Sequence, residues 1–180
     1  RSSERNFYQK VTDIYTTSID YKKNNKLTKE FFATVQNKMH YAVHGYTAAQ
    51  LINMRADSRE VNMGLTNFKG NYLTREDIKI AKNYLTESEL KQLNLIVSLY
   101  LDFAEFQATN GKTMKMIDWV NKLDEFLKLS EKKILLNSGD ISSKQALLKA
   151  KEEFKKYKKE MDRRYVSDFD REVEKIKKQE

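Results

Sequence analysis

The two histidines of the chain, His40 and His44, stand four residues apart in "HYAVHGYTAAQLINMRAD", residues 40–57. On a helix, side chains at i and i+4 share a face with their Cβ atoms about 5–6 Å apart. Two neutral imidazoles so placed could grip a divalent metal, but a complete site needs further ligands. Distant Asp57 or Glu105 could supply one. The zinc-protease pattern His-Glu-x-x-His is not met, because Tyr41 fills the glutamate position. The competing role is structural: histidines at a helix end that cap carbonyls or bond to each other across a turn. Arg55 and Asp57 follow at the end of the next apolar stretch. They could form an anion site with a general base, or a clamp of charge-assisted hydrogen bonds that holds a loop.

Other familiar chemistries are missing. "NMGLTNFKG" lacks the glycine and Gly-Lys-Ser/Thr spacing of a phosphate loop. No serine sits in a Gly-x-Ser-x-Gly elbow. Cysteine is absent, which removes thiolate metal sites, cysteine nucleophiles and disulfides, and fits a reducing cytoplasm. Asp102 and Glu105, three apart on an otherwise apolar stretch, fit a solvent edge better than an acid/base pair. No cofactor and no resident metal are expected.

The elements that carry these residues read as helices. There is no proline and there are five glycines among 180 residues, which argues against a turn-rich β fold. Phe7, Val11, Ile14 and Tyr15 make a first helical stripe. Phe31, Phe32, Val35, Met39 and Val43 make a second, ended by Gly45. Thr47 and Gln50 can form a capping box for "YTAAQLINMRAD", in which Leu51, Ile52 and Met54 would pack. "SREVNMGLTNFKGNYL" reads as a loop with one short turn of helix. "TREDIKIAKNYL" reads as a short helix capped by Thr74. Thr86 and Glu89 box the long apolar helix that Gly111 ends. Thr113 would cap the helix that carries Trp119. Ser142 or Ser143 opens the last and longest helix.

In that last helix the apolar residues thin to one stripe: Phe154, Tyr157, Met161, Tyr165, Phe169, Val173 and Ile176. The spacings of 3, 4, 4, 4, 4 and 3 cover 22 residues in six steps, close to a hendecad period of about 3.67. A narrow stripe on a long helix has to meet its own domain or a partner helix. The chain carries a net charge of +8, but basic and acidic residues are interspersed, whereas a dedicated DNA surface is more one-sided. From Lys151 onward eleven basic residues face nine acidic ones. "KKYKK" and "DRR", with their interleaved tyrosines, keep phosphate contact and base stacking open as an alternative. No apolar run has membrane-spanning length. The opening "RSSERNFYQK" has neither an initial methionine nor an apolar signal core, and reads as the start of a segment of a longer protein.

The motifs "SERNFYQKVTDIYTTSIDY", "FFATVQNKMHYAVHGYTAAQLI", "RADSREVNMGLT", "IAKNYLTESELKQLN" and "YLDFAEFQA", with "MKMIDWVNKLDEFL" and "ISSKQALLKAKEEFKKYKK", resemble the RhuM family of bacterial virulence-associated proteins. The resemblance spans nearly the whole chain. It implies the C-terminal portion of a longer, DNA-associated protein found beside type I restriction-modification systems, with DNA bound mainly by an N-terminal portion outside this chain. It carries over no catalytic residues, although His40, His44, Arg55, Asp57 and Asn62 all stand inside its motifs. The expectation is an all-α bundle of about six or seven helices: residues 1–140 a helical domain, residues 141–180 a long charged helix, partly projecting. It would serve as a cytoplasmic interaction module, forming a homo-oligomer through the last helix and not entering a membrane. The alternatives are a metal- or anion-dependent enzyme around His40, His44, Arg55 and Asp57, and nucleic-acid binding by the basic tail.

Overall fold

The computed structural model describes residues 12, 13, 15–22 and 26–177. Among them there is no strand. Five α-helices, α1 (Lys26–His44), α2 (Ala48–Arg55), α3 (Glu87–Thr109), α4 (Met116–Leu129) and α5 (Ser143–Lys177), are joined by three short 3-10 turns at Val61–Gly64, Asp77–Lys79 and Ala81–Tyr84. The all-α expectation holds, and the five α-helices among the described residues do not support the count of six or seven. Of the first apolar stripe, Phe7, Val11 and Ile14 lie outside the described residues, while Tyr15 is helical and fully buried. No helix among the described residues is long and apolar enough to cross a membrane.

The chain groups into two compact units, residues 1–48 with 86–140, and residues 49–85 with 141–180.

In the first unit, α1, α3 and α4 pack one apolar face each. Val35 and Met39 from α1, Ile96, Tyr100 and Ala104 from α3, and Trp119, Leu123 and Leu127 from α4 are all buried. The larger of these side chains contribute about 1.5–3 kcal/mol each when removed from water. The Tyr100 hydroxyl donates to the Trp119 carbonyl at 2.9 Å, so the ring is buried without stranding its polar end. Helix α3 begins as its sequence signals. The Glu89 amide donates to the Thr86 hydroxyl at 3.2 Å, and the Thr86 amide donates to the Glu89 carboxylate at 2.9 Å. Helix α4 starts two residues later than a Thr113 cap requires. Its N-cap is Lys115, whose amide donates to Asp118 at 2.8 Å, while the Met116 amide donates to Asp20 at 2.9 Å. Two carboxylates at a helix start satisfy free amides and oppose the positive end of the helix dipole.

In the second unit, Ala146, Ala150 and Phe154 form the buried face of the first turns of α5, which pack on the 3-10 turns Val61–Gly64 and Asp77–Lys79. Ser142 and Gln145 box the start of α5, with bonds of 2.8 and 3.2 Å. Leu51 and Ile52 of α2 are buried here, but Met54, expected to pack with them, is exposed. The helix expected over "TREDIKIAKNYL" is replaced by two 3-10 turns. Thr74 and Asp77 do bond reciprocally. The Asn83 amide then takes the Asp77 carbonyl and the Tyr84 hydroxyl takes the Ile78 carbonyl, both at 2.9 Å. Side chains claim acceptors that a continuing α-helix would offer to its own amides, and the extended Ile80 breaks the run.

Candidate functional site

Helix α1 closes in the sequence that carries both histidines. Gly45 takes φ +79° and its amide bonds the Tyr41 carbonyl at 2.8 Å, the left-handed termination that glycine permits cheaply. His40 is buried and His44 is half-buried. His40 Nδ1 and His44 Nε2 are 3.0 Å apart, in hydrogen-bond contact, and the His44 ring stacks on Tyr46. One of those two nitrogens must carry the proton between them, so the pair is organised around a shared hydrogen bond. Among the described residues, no group of three or more His, Cys, Asp or Glu side chains gathers as a metal site would require.

The other sequence candidates belong to the second unit, in the stretch from Arg55, the last residue of α2, to Leu65, which includes the first 3-10 turn. The Arg55 guanidinium donates to the Tyr84 carbonyl at 2.8 Å. Asp57 is gripped by Arg59. Nε reaches Oδ1 at 3.0 Å, Nη2 reaches Oδ2 at 2.6 Å, and the Arg59 amide adds a third bond at 2.9 Å. The guanidinium and then that amide hold the Asp57 pKa down to about 2. A carboxylate so engaged is a weak proton acceptor at neutral pH. Asn62 and Met63 take φ +50° and +59°, followed by Gly64 at +82°. Asparagine tolerates that region, but methionine does so at a cost that its complete burial offsets. A Cβ on Gly64 would collide with the Arg55 carbonyl oxygen, so glycine is required twice over.

Two charged clusters in the structure depend on contacts between residues far apart in the chain. The Glu153 side chain, 6 % exposed, accepts from the Ser58 amide at 2.9 Å, from Lys156 at 2.9 Å and from Lys149 at 3.1 Å. The lysine bond from Lys156, then the Ser58 amide, hold its carboxyl well below the usual carboxylate range. Ser58 and Glu153 are 95 residues apart, so spacing along the chain could not reveal the contact. In the first unit, Lys38 is 8 % exposed and its ammonium meets Asp124 at 2.9 Å and the Leu135 carbonyl at 2.7 Å. Its place between Val35 and Met39 on an apolar helix face was the one available hint of a paired, buried charge.

The two histidines thus bond to each other, and Arg55 and Asp57 are engaged by partners within the protein. The second half of α5 differs. Met161 is 41 % exposed, Tyr165 78 %, Phe169 63 % and Ile176 61 %. Around them, charges pair along the helix, Arg163 and Arg164 with Glu160 and Lys175 with Glu172. The apolar stripe is left facing solvent over about four helical turns.

The family model of the virulence protein RhuM family matches residues 1–165. No curated protein and no solved structure matches the chain. With a match that takes in the histidine pair, the Arg55–Leu65 loop and α5 as far as Tyr165, the chain belongs to the virulence protein RhuM family.

Proposed function

We propose that this chain is a helical assembly module of a DNA-associated, cytoplasmic bacterial protein, and that it assembles through the second half of α5. The exposed stripe from Met161 to Ile176 carries this reading. An apolar seam at helical period, flanked by charged residues of both signs, matches the surface that a partner helix covers. The interspersed acids of the tail favour this role over phosphate binding, and DNA recognition in this reading lies outside α5.

Light scattering on the purified chain across a concentration series tests it. A mass above that of one chain is expected, and Tyr165→Glu with Phe169→Glu should return it to the monomer mass. A monomer at the highest concentration refutes the reading. Duplex-DNA binding over a salt series runs alongside. Tight binding that weakens steeply with salt would transfer the role of the tail to nucleic acid.

A further inference from the structure

The stripe on α5 has a symmetry that its composition hides. Taken outward from Tyr165, Met161 and Phe169 lie four residues away on either side, and Tyr157 and Val173 lie eight away. The apolar positions read the same in both directions. The charges do not. Residues 155–164 hold six basic and two acidic side chains, and the mirror-image stretch 166–175 holds four acidic and two basic ones. One half of the seam is positive and the other negative.

We propose, building on the assembly reading above, that the partner of this stripe is a second copy of the same helix. It runs antiparallel, with a twofold axis at Tyr165. In that arrangement Tyr165 meets its own counterpart, Met161 meets Phe169, and Tyr157 meets Val173. Each basic stretch then lies along the acidic stretch of the other copy, and Lys158 comes level with Glu172. A parallel, in-register pair also aligns the apolar residues. It sets the positive halves against each other and the negative halves against each other, which costs association free energy. Ile176 would come level with Phe154, which its own unit already buries. The working seam therefore runs from Tyr157 to Val173, about 24 Å at 1.5 Å per residue.

The chain contains no cysteine, so single-cysteine variants report contacts without background. Met161, Tyr165 and Phe169 are exposed, and their replacement leaves the core intact. Oxidative cross-linking of Y165C alone, M161C alone, F169C alone, and an M161C and F169C mixture distinguishes the arrangements. Antiparallel pairing predicts covalent dimer from Y165C, and several-fold more from the mixture than from either M161C or F169C alone. The like residues at 161 would sit about 12 Å apart along the axis, beyond disulfide reach. Efficient self-linking of M161C and of F169C would overturn the antiparallel inference and leave assembly through α5 standing. A dimer mass with no cross-link at any position would place the contact elsewhere and overturn both. A monomer mass for the unmodified chain would remove the assembly reading and this inference with it.

Discussion

The two halves of α5 follow one helical period and meet opposite fates. In the first half, Ala146, Ala150 and Phe154 are buried against the 3-10 turns of their own unit, and Glu153 is tied to the Ser58 amide and two lysines. In the second half, Tyr165, Phe169 and Ile176 repeat at the same kind of spacing and face water. Periodicity states which face of a helix is apolar. It does not state whether the cover for that face is in the same chain. The difference lies in the small residues. Two alanines let folded turns approach the first half closely. The second half presents large side chains, suited to a partner that interdigitates.

The largest test of this contrast is a pair of truncations at chemically identical side chains. Phe154→Ala removes a buried ring and should destabilise the chain by about 3 kcal/mol or more in urea unfolding. Phe169→Ala, measured in dilute solution, should leave folding stability nearly unchanged and lower the mass at high concentration. Equal destabilisation by both would mean that the two halves are covered alike, and the contrast would collapse.

Gly64→Ala comes next and tests the platform on which the first half rests. It forces a side chain to φ +82° and drives a methyl group onto the Arg55 carbonyl. A loss of about 2 kcal/mol is expected, seen as a lower urea midpoint with the slope retained. If stability is unchanged, the left-handed run at residues 62–64 is not needed to hold the 3-10 turn against α5.

Glu153→Gln should cost about 1.5 kcal/mol at neutral pH, the scale of a charge-assisted bond lost from a buried site. The pH dependence is more specific. The folded-state pKa of Glu153 lies below its unfolded value near 4.5. The folded protein therefore favours the ionised form, and the stabilisation is complete above that value. It is lost as pH falls below about 4.5 and protons bind the unfolded chain first. Urea midpoints from pH 6 down to pH 3 should fall less steeply for the glutamine variant than for the parent. Parallel curves would mean that other carboxylates, Asp57 among them, carry the acid sensitivity.

Local signals in the sequence hold in most places where the physics is local, the Thr113 cap displaced by Lys115 and the exposed Met54 being exceptions. The Thr86–Glu89 and Ser142–Gln145 boxes, the glycine stop at Gly45 and the apolar faces of α3 and α4 all depend on residues within a turn or two of one another. The stretch from Thr74 to Leu85 misled because its cap is real but its continuation is decided by Asn83 and Tyr84 reaching back to carbonyls. The candidate residues show the same divide. The histidine contact follows from an i, i+4 spacing, whereas the ties of Arg55 to Tyr84 and of Glu153 to Ser58 span 29 and 95 residues. Lys38 with Asp124 is a further case, two charges 86 residues apart that only the packed unit brings together.

The smallest expected effect on folding is the most informative about the second half of α5. Lys158→Glu reverses an exposed charge, so urea unfolding in dilute solution should shift by less than about 0.5 kcal/mol. Part of that shift belongs to the contact of Lys158 with the Phe154 ring, 5.9 Å away, and not to assembly. Association should respond more strongly, because the reversed charge comes level with Glu172 of the other copy, twice per dimer. Adding Glu172→Lys should recover the parent's association. It does so at the expense of the Glu172–Lys175 pair within the helix, so a helix-stability explanation predicts a further loss instead. A recovery measured by sedimentation equilibrium would couple residues 158 and 172 across the interface. In a parallel pair each of those residues meets its own copy. Reversing both charges then leaves like opposite like, and the double variant should associate no better than the single one.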